Sequence, residues 1–330
     1  MKDLQGKNIV LFAPKTFGYE FEIKKALELK GANVYLYDER PSSNSLIKII
    51  IRFKKSILKY YTERYFMNIF KKHLEQDIDY FFIIKGEVFT KKILSYIKNN
   101  FKKSELILYL WDSLQNYNLA TILDLFDRAY TFDKIDALKY PKLSFRPLFF
   151  IPDYEFQQTD NYLHDVLFIG TVHSDRYKFT KIIEKKLQEM NLNVYFFFFF
   201  QSKLLYLKKK LTDKSFSETS INDFHFVALT KQETLAKIKQ TRIILDIQHP
   251  NQTGLTMRTI EAVGAKRKII TTNKEIKNYD FYNENNILVI DRTIPELDET
   301  FLKTDFISVE PNIYTYYKIE TWVEELFLLK

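Results

Sequence analysis

The sequence contains no cysteine among its 330 residues. Disulfide bonds, thiolate nucleophiles and cysteine-ligated zinc or iron–sulfur sites are therefore excluded. Long apolar runs are missing as well, since none reaches the roughly 18 residues that a membrane-spanning helix needs. The N-terminus "MKDLQGKNIVLFAPK" has too short an apolar core for a signal peptide. We therefore expect a cytoplasmic protein, either soluble or peripheral at the inner face of the cell membrane.

Glycine is scarce, and several glycine-based motifs are missing with it. The chain has seven glycines, about a third of the number that average usage would give, so we expect them mainly where backbone geometry requires them. The dinucleotide fingerprint G-x-G-x-x-G, the lysine-containing phosphate loop of ATPases and the nucleophile elbow G-x-S-x-G do not occur. The five histidines form no H-x-x-x-H pair, so no metal site is expected.

What the chain does contain is an excess of positive charge and enough apolar residues for sizeable cores. The formal net charge is +8, and 46% of the residues are hydrophobic. A basic balance suits nucleic acid, an anionic membrane surface or phosphate-rich substrates. No zinc-finger spacing, RNP-type strand or basic low-complexity tail is present, so nucleic acid is not an expected partner.

Strand-like and helix-like segments alternate along both halves of the chain, which favours parallel sheets with helices on both faces. The predicted strands are NIVLFA, NVYLYD, DYFFIIKG, ELILYLWD and RAYTF, then DVLFIG, NVYFFFFF, FHFVAL, RIILDI, RKIITTN and ILVID. Closely spaced prolines mark the connection between the halves. We predict an N-terminal α/β domain (1–150), a C-terminal α/β domain (151–312) and a C-terminal helix (313–330). The expected fold is two Rossmann-like α/β domains facing a central cleft, with the last helix a candidate to return to the first domain.

The segment "HPNQTGLTMRTIEAVGA" carries the most specific binding pattern, because it joins a predicted strand to a predicted helix. Ligands bind outside the carboxyl ends of parallel strands, and the N–H groups of a helix N-terminus suit phosphate. Gly254 would let a ligand approach the backbone closely. Thr253 or Thr256 could cap the helix or donate a hydroxyl group.

Helical spacing sorts the side chains of this segment onto two faces. Arg258 and Glu261 share one face, where an arginine suits a diphosphate and a carboxylate suits the hydroxyls of a ribose. The alternative is an ordinary solvated ion pair. Met257, Ile260 and Gly264 share a neighbouring face that we expect to pack on the sheet.

A second candidate segment, "FIGTVHSDR", also follows a predicted strand. Gly170, Thr171 and Arg176 could line the same cleft from the first loop of the second domain. His173 is either a ligand contact or, alternatively, a helix cap or surface residue.

These segments resemble those of a known class of enzymes. Two α/β halves with a proline-marked connection resemble the GT-B class of nucleotide-sugar glycosyltransferases. The stretches "DVLFIGTVHSDR" and "TGLTMRTIEAVGAKRKIITTN" resemble the donor-binding half of bacterial cell-surface polysaccharide transferases, including the spore-maturation-type glycosyltransferase-like group. The resemblance covers the chain from Asp165 onward and implies that 151–312 is the nucleotide-sugar donor domain. The N-terminal half matches in architecture only, as expected if 1–150 is the acceptor-side domain and meets a variable acceptor.

The resemblance implies a metal-independent glycosyltransferase without a cofactor. It would move a sugar from a nucleotide-diphosphate donor, most favourably a UDP-sugar, to a saccharide or lipid-linked acceptor in capsule or lipopolysaccharide assembly. Glu261 would hold the ribose hydroxyls. The N–H groups of Gly254, Leu255 and Thr256 would meet the diphosphate, with Arg258 and Arg176 neutralising it.

One departure from the class pattern leaves the sugar and the stereochemistry open. Many retaining members carry two glutamates eight positions apart, and Thr253 stands at the earlier of these positions here. An inverting enzyme would need a base near the acceptor hydroxyl. Asp112 and Glu87 are the candidates, each with the alternative of a cap or structural acid, and His249 is a weaker one.

Two further questions stay open at the level of sequence. The basic and aromatic helix predicted over Ile47–Leu74 could lie on an anionic membrane surface, or be a core helix with a solvated basic face. Three other functions fit the same fold. They are a nucleotide-sugar epimerase, a polyol-phosphate transferase and a non-catalytic sugar-nucleotide-binding structural protein.

Overall fold

A computed structural model describes residues 3–41, 55–114, 119–157, 161–172, 175–213, 216–250 and 253–329. The chain divides into two compact units. The first unit comprises Met1–Pro147 together with Ile319–Lys330, and the second comprises Leu148–Lys318. The domain ranges 1–150, 151–312 and 313–330 stay a prediction.

The first unit is built on a six-stranded parallel sheet with the strand order β2-β1-β3-β4-β5-β6. Its strands are β1 (Asn8–Ala13), β2 (Asn33–Asp38), β3 (Tyr80–Ile84), β4 (Glu105–Leu110), β5 (Arg128–Thr131) and β6 (Leu143–Phe145). Its helices are α1 (Tyr19–Leu29), α2 (Lys55–His73), α3 (Lys91–Asn100) and α4 (Lys134–Lys139), with a 3-10 turn at Ala120–Leu125.

The central strands of the first unit are apolar and buried beyond their first residue because both faces of the sheet are covered. On one face, Phe66 and Phe70 of α2 pack against Phe12 of β1. The described part of the basic helix predicted over Ile47–Leu74 therefore contributes to the core, and residues 47–54 lie outside the described residues. No helix among the described residues is long and apolar enough to cross a bilayer.

The second unit is built on a five-stranded parallel sheet with the order β11-β10-β9-β7-β8. Its strands are β7 (His164–Thr171), β8 (Val194–Phe199), β9 (Thr241–Asp246), β10 (Lys268–Thr271) and β11 (Ile287–Val289). Its helices are α5 (Arg176–Glu189), α6 (Lys203–Thr212), α7 (Lys231–Lys239), α8 (Met257–Gly264), α9 (Glu299–Lys303) and α10 (Pro311–Tyr316). The two sheets and their helices confirm the predicted pair of Rossmann-like α/β domains.

The predicted C-terminal helix is two helices. A break after α10 separates it from α11 (Ile319–Leu326), and at this break the Phe150 N–H donates to the carbonyl of Tyr317. The helix α11 belongs to the first unit, which confirms the predicted return to the first domain. There, wholly buried Trp322 lies edge-on to Tyr109 with ring centroids 4.8 Å apart.

Two further sequence predictions about strands need correction. The segment "FHFVAL" is not a strand, because His225 makes a single bridge to Phe199 at the end of β8 while Phe224 turns into the core. The short strand β6 lies in the stretch we assigned to the connection between domains. Its three residues were too few to show an apolar period among the prolines.

Candidate functional site

The candidate site lies at the carboxyl ends of β7 and β9, where the connections of the second sheet reverse direction. The chain passes from β7 to β8 on one side and then to β9 on the other. The loops that follow β7 and β9 therefore diverge, and such a switch point is where doubly wound sheets bind their ligands. The two segments singled out in the sequence are these two loops.

Asp246 ties the end of β9 to the first turn of α8. Thr256 is the N-cap residue, and its Oγ1 accepts a hydrogen bond from the N–H of Thr259 at 3.2 Å. The hydroxyls of Thr256 and Thr259 both donate to Oδ2 of Asp246 at 2.5 Å. The cap is thus Thr256 rather than Thr253, and its hydroxyl is already engaged. Phosphate recognition at this turn would therefore rely on backbone N–H groups.

Arg258 and Glu261 lie on one face of α8, as their spacing indicates. The Nη1 atom of Arg258 is 2.7 Å from Oε2 of Glu261. Glu261 is buried, with 5% of its surface exposed, and the Arg258 side chain is mostly covered. The pair is therefore not the solvated surface pair that the alternative interpretation describes.

Two further guanidinium groups belong to the same switch point. Arg176 begins α5, and its Nη1 donates to the carbonyl of Thr171 at 3.3 Å. Burial lowers the pKa of Arg176 below its ordinary value, while the attraction of Asp246 opposes that shift and the repulsion of Arg292 adds to it. Its Nε has no hydrogen-bond partner among the described residues. This polar atom is left for water or for an anion.

Arg292, which follows β11, is a site residue that sequence analysis missed. It forms a bidentate pair with Asp175, with Nε–Oδ2 and Nη2–Oδ1 distances of 2.8 and 3.0 Å. Both of its terminal nitrogens also donate to the carbonyl of Gln248 at 3.2 Å. Arg292 thereby joins the loops after β7 and β9.

The loop after β10 holds the loop that leads into α8 through hydrogen bonds. The Asn273 amide donates to the carbonyls of Thr253 and Gly254, at 3.1 and 3.4 Å. Gly254 and Leu255 are buried. These two hydrogen bonds tie the backbone at Thr253 and Gly254 to the loop after β10.

The structure gives two of the predicted glycines a packing role. Gly170 lies within β7, and a Cβ there would stand 2.6 Å from the ring of Phe168. A Cβ on Gly264 would stand 2.5 Å from the ring of Phe150, so its close neighbour is this ring rather than a strand of the sheet. His173 lies outside the described residues, and His249 is exposed.

Asp112 and Glu87 lie in the first unit, at the carboxyl ends of β4 and β3. Both are in ion pairs. Asp112 lies 2.8 Å from Nζ of Lys85, and Glu87 lies 2.7 Å from Nη2 of Arg40. Lys85 also lies 3.5 Å from Glu87, so it links the two predicted carboxylates. Sequence analysis missed Lys85 and Arg40, although Lys85 lies near the end of the predicted strand DYFFIIKG.

Within the described ranges, no group of three or more histidine, aspartate or glutamate side chains is arranged to hold a metal ion.

No family model and no curated protein sequence matches the chain. Solved structures do match it over nearly its whole length. The Anabaena protein Alr3699/HepE in complex with UDP-glucose has a TM-score of 0.61 at 10% identity, covering 97% of this chain and 98% of its own. A glycosyltransferase from Rickettsia africae has a TM-score of 0.57 at 11% identity, covering 98% of both chains.

The UDP-GlcNAc 2-epimerase of Methanocaldococcus jannaschii, solved with UDP-GlcNAc and UDP, has a TM-score of 0.52 at 13% identity. The match covers 98% of this chain and 100% of that one. At such low identities the similarity establishes the fold, which is the GT-B architecture of two Rossmann-like domains.

Proposed function

We propose that the chain is a glycosyltransferase of the GT-B class that uses a nucleoside-diphosphate sugar, with a UDP-sugar as the favoured donor. The observation that carries this proposal is the capped N-terminus of α8 at the switch point of the second sheet, with the pair of mostly covered Arg258 and buried Glu261 on its first turns. The Anabaena neighbour, solved with UDP-glucose, supports the choice of donor. We extend the proposal to cell-surface polysaccharide assembly and the spore-maturation-type group on sequence resemblance.

The charges of the site fit the departure of a diphosphate. Breaking a glycosyl phosphate bond develops negative charge on the leaving diphosphate and positive charge on the sugar ring. The guanidinium groups of Arg176, Arg258 and Arg292, with the partial positive charge of the α8 N-terminus, would stabilise the leaving group. In this proposal they take the role that a divalent cation plays elsewhere, and Glu261 holds the ribose hydroxyls.

The direct test is to measure what the protein does with UDP and with UDP-glucose. We expect UDP to bind in calorimetry and to raise the melting temperature, and UDP-glucose to be turned over with release of free UDP. No binding and no melting shift at millimolar UDP would contradict the donor site. The same melting measurement with other nucleoside diphosphates identifies the nucleotide base that the site prefers.

A nucleotide-sugar epimerase is the second candidate, because the Methanocaldococcus structure with this fold is an epimerase. The product separates the two activities. An epimerase interconverts the sugar while it stays attached to the nucleotide. A polyol-phosphate transferase would transfer a phosphate-linked polyol, and a binding protein would retain UDP-glucose unchanged.

We also propose that the protein meets an anionic membrane surface, where a lipid-linked acceptor would lie, through α6. Leu204, Leu207 and Leu211 are exposed and share one face of this helix, since they follow the i, i+3, i+7 spacing. Exposed lysines border this leucine stripe: Lys203, Lys208 and Lys210. Apolar side chains flanked by lysines suit the interface of a bilayer with anionic headgroups.

A further inference from the structure

The first unit has a switch point of its own. In its sheet β1 lies between β2 and β3, and the chain passes from β2 on one side of β1 to β3 on the other. The loops after β1 and β3 diverge there, so the same rule that points to the donor site in the second unit predicts a ligand crevice in the first. Charged residues follow the strands at this switch point.

Four of these residues form what we call the strand-end cluster: Arg40, Lys85, Glu87 and Asp112. Arg40 follows β2 and pairs with Glu87, which follows β3, so this pair spans the end of the intervening strand β1. Lys85 pairs with Asp112 beyond β4 and with Glu87. Two cations and two carboxylates leave the cluster without net charge. A second pair, between Lys15 and Asp38 at 4.0 Å, stands beside it and is also neutral.

The backbone holds Lys85 in a conformation that non-glycine residues rarely adopt. Its φ is 76°, followed by a φ of 79° at Gly86, and the N–H of Gly86 donates back to the carbonyl of Ile84 at 3.1 Å. This is a γ-turn centred on a lysine, a geometry that is strained and occurs preferentially at functional sites. The N–H of Lys85 donates to the carbonyl of Tyr109 at 2.8 Å, which fixes the turn to β4.

Glu39 lies beside this cluster and is wholly buried. Neither of its carboxyl oxygens makes a regular hydrogen bond within the described residues, although the backbone amide of Glu87 is near enough to favour the ionised form. Burial raises the pKa of Glu39 to about 8, against the opposing charges of Lys85 and Arg40 and with the support of Glu87. At neutral pH the carboxyl is therefore mostly un-ionised.

The protonation state of Glu39 decides the charge balance of the cluster. While Glu39 is un-ionised, Lys85 stays paired with Asp112 and Glu87, and the cluster has no net charge. An ionised Glu39 would add a third carboxylate that competes for Lys85 and Arg40. A neutral array of alternating donors and acceptors suits hydroxyl groups, whereas a phosphate would need an excess of cations.

We propose that the strand-end cluster binds hydroxyl groups of a neutral saccharide, and that Glu39 is a positioning residue which, while un-ionised, leaves Lys85 paired with Asp112 and Glu87. The inference rests on the proposed glycosyltransferase function and adds to it that the first unit meets the saccharide acceptor. Its test uses the full chain, with glucose as the probe saccharide and saturation-transfer NMR as the measurement of binding.

We expect the affinity for glucose to fall about tenfold between pH 7 and pH 9, because the binding-competent, protonated fraction falls by that factor around a pKa of about 8. Glu39→Gln should bind glucose equally at both values, since the amide cannot ionise. Glu63→Gln is the matched control. Glu63 is buried in the same unit and paired with Lys92 at 2.7 Å, so this variant should follow the wild type.

Asp112→Asn should weaken glucose binding and leave UDP binding unchanged, which would assign the glucose signal to the first unit. Absence of glucose binding to the wild type at pH 7, or a tenfold loss that persists in Glu39→Gln, would overturn the inference. Displacement of glucose from this cluster by inorganic phosphate would overturn the neutral class of ligand. UDP binding does not depend on Glu39. Calorimetry with UDP on the same preparations therefore shows whether the donor site fails, independently of the result with glucose.

Discussion

At the scale of the residue, Glu261 is the side chain on which the proposed ribose contact depends. Glu261→Ala should weaken UDP binding about tenfold or more, since a hydrogen bond to a charged group contributes about 1.5–3 kcal/mol. Isothermal calorimetry measures this loss. Glu87→Ala is the control, because Glu87 lies in the first unit, and it should leave UDP binding unchanged. Equal losses in both variants would place the ribose elsewhere.

A second residue-scale prediction concerns the pH dependence of stability. Between pH 4.5 and pH 8 the unfolded chain ionises Glu39 while the fold keeps it protonated. The contribution of Glu39 to the free energy of unfolding is therefore most favourable at low pH, falls as the pH rises, and levels off above pH 8. Each pH unit in this window lowers the free energy of unfolding by about 1.4 kcal/mol. In urea unfolding at pH 5 and pH 8, Glu39→Gln should gain several kcal/mol over the wild type at pH 8 and little at pH 5. A constant difference would contradict the raised pKa.

Single residues also show where prediction from sequence reaches its limit. The proximity of Arg258 and Glu261 could be predicted, because a spacing of three is a local property of a helix. Asp246 is ten positions from Thr256, and Arg292 is 117 positions from Asp175. Contacts of this kind can be predicted only when the order of the strands in the sheet is known. Glu39 was missed for the same reason, since its burial depends on the packing of neighbouring strand ends.

At the scale of the element, apolar runs predicted every described strand of the two units except β6, and helical spacing predicted α2 and α8. The failures have a common physical origin. "FHFVAL" has the composition of a strand. Its two phenylalanines pack in or against the core, but its backbone makes a single bridge to β8 rather than a ladder of strand hydrogen bonds. The run of phenylalanines is a strand as predicted, but it is the edge strand β8, so two of its rings are only partly buried.

The leucine stripe of α6 leads to the element-scale prediction. Leu211→Asp should lower binding to phosphatidylglycerol vesicles about tenfold or more, because inserting one leucine contributes about 1.5–3 kcal/mol. Sedimentation with vesicles measures the effect. The matched control is Leu138→Asp on α4, since Leu138 is 85% exposed and Leu211 is 88% exposed. Equal losses, or equal binding to phosphatidylcholine vesicles, would count against α6 as the contact.

At the scale of the whole molecule, the chain completes its first unit with its last helix. The sheet of that unit is assembled from residues before 147, yet one face is covered by α11, which begins at Ile319. Trp322 on α11 is wholly buried and contacts Phe82 and Tyr109 of the central strands. The stability of the N-terminal sheet therefore depends on residues that follow the entire second unit.

Trp322→Ala tests this dependence. Emptying the site of a buried tryptophan should destabilise the first unit by about 3–5 kcal/mol. Native-state hydrogen exchange should accelerate in β3 and β4, while β7 and β9 of the second unit serve as the internal control and keep their protection. UDP affinity should also persist in the variant, because the proposed nucleotide contacts lie in the second unit. An equal loss of protection in both sheets would show that the units unfold as one, and unchanged exchange in β3 and β4 would contradict the role of α11 as the cover of that sheet.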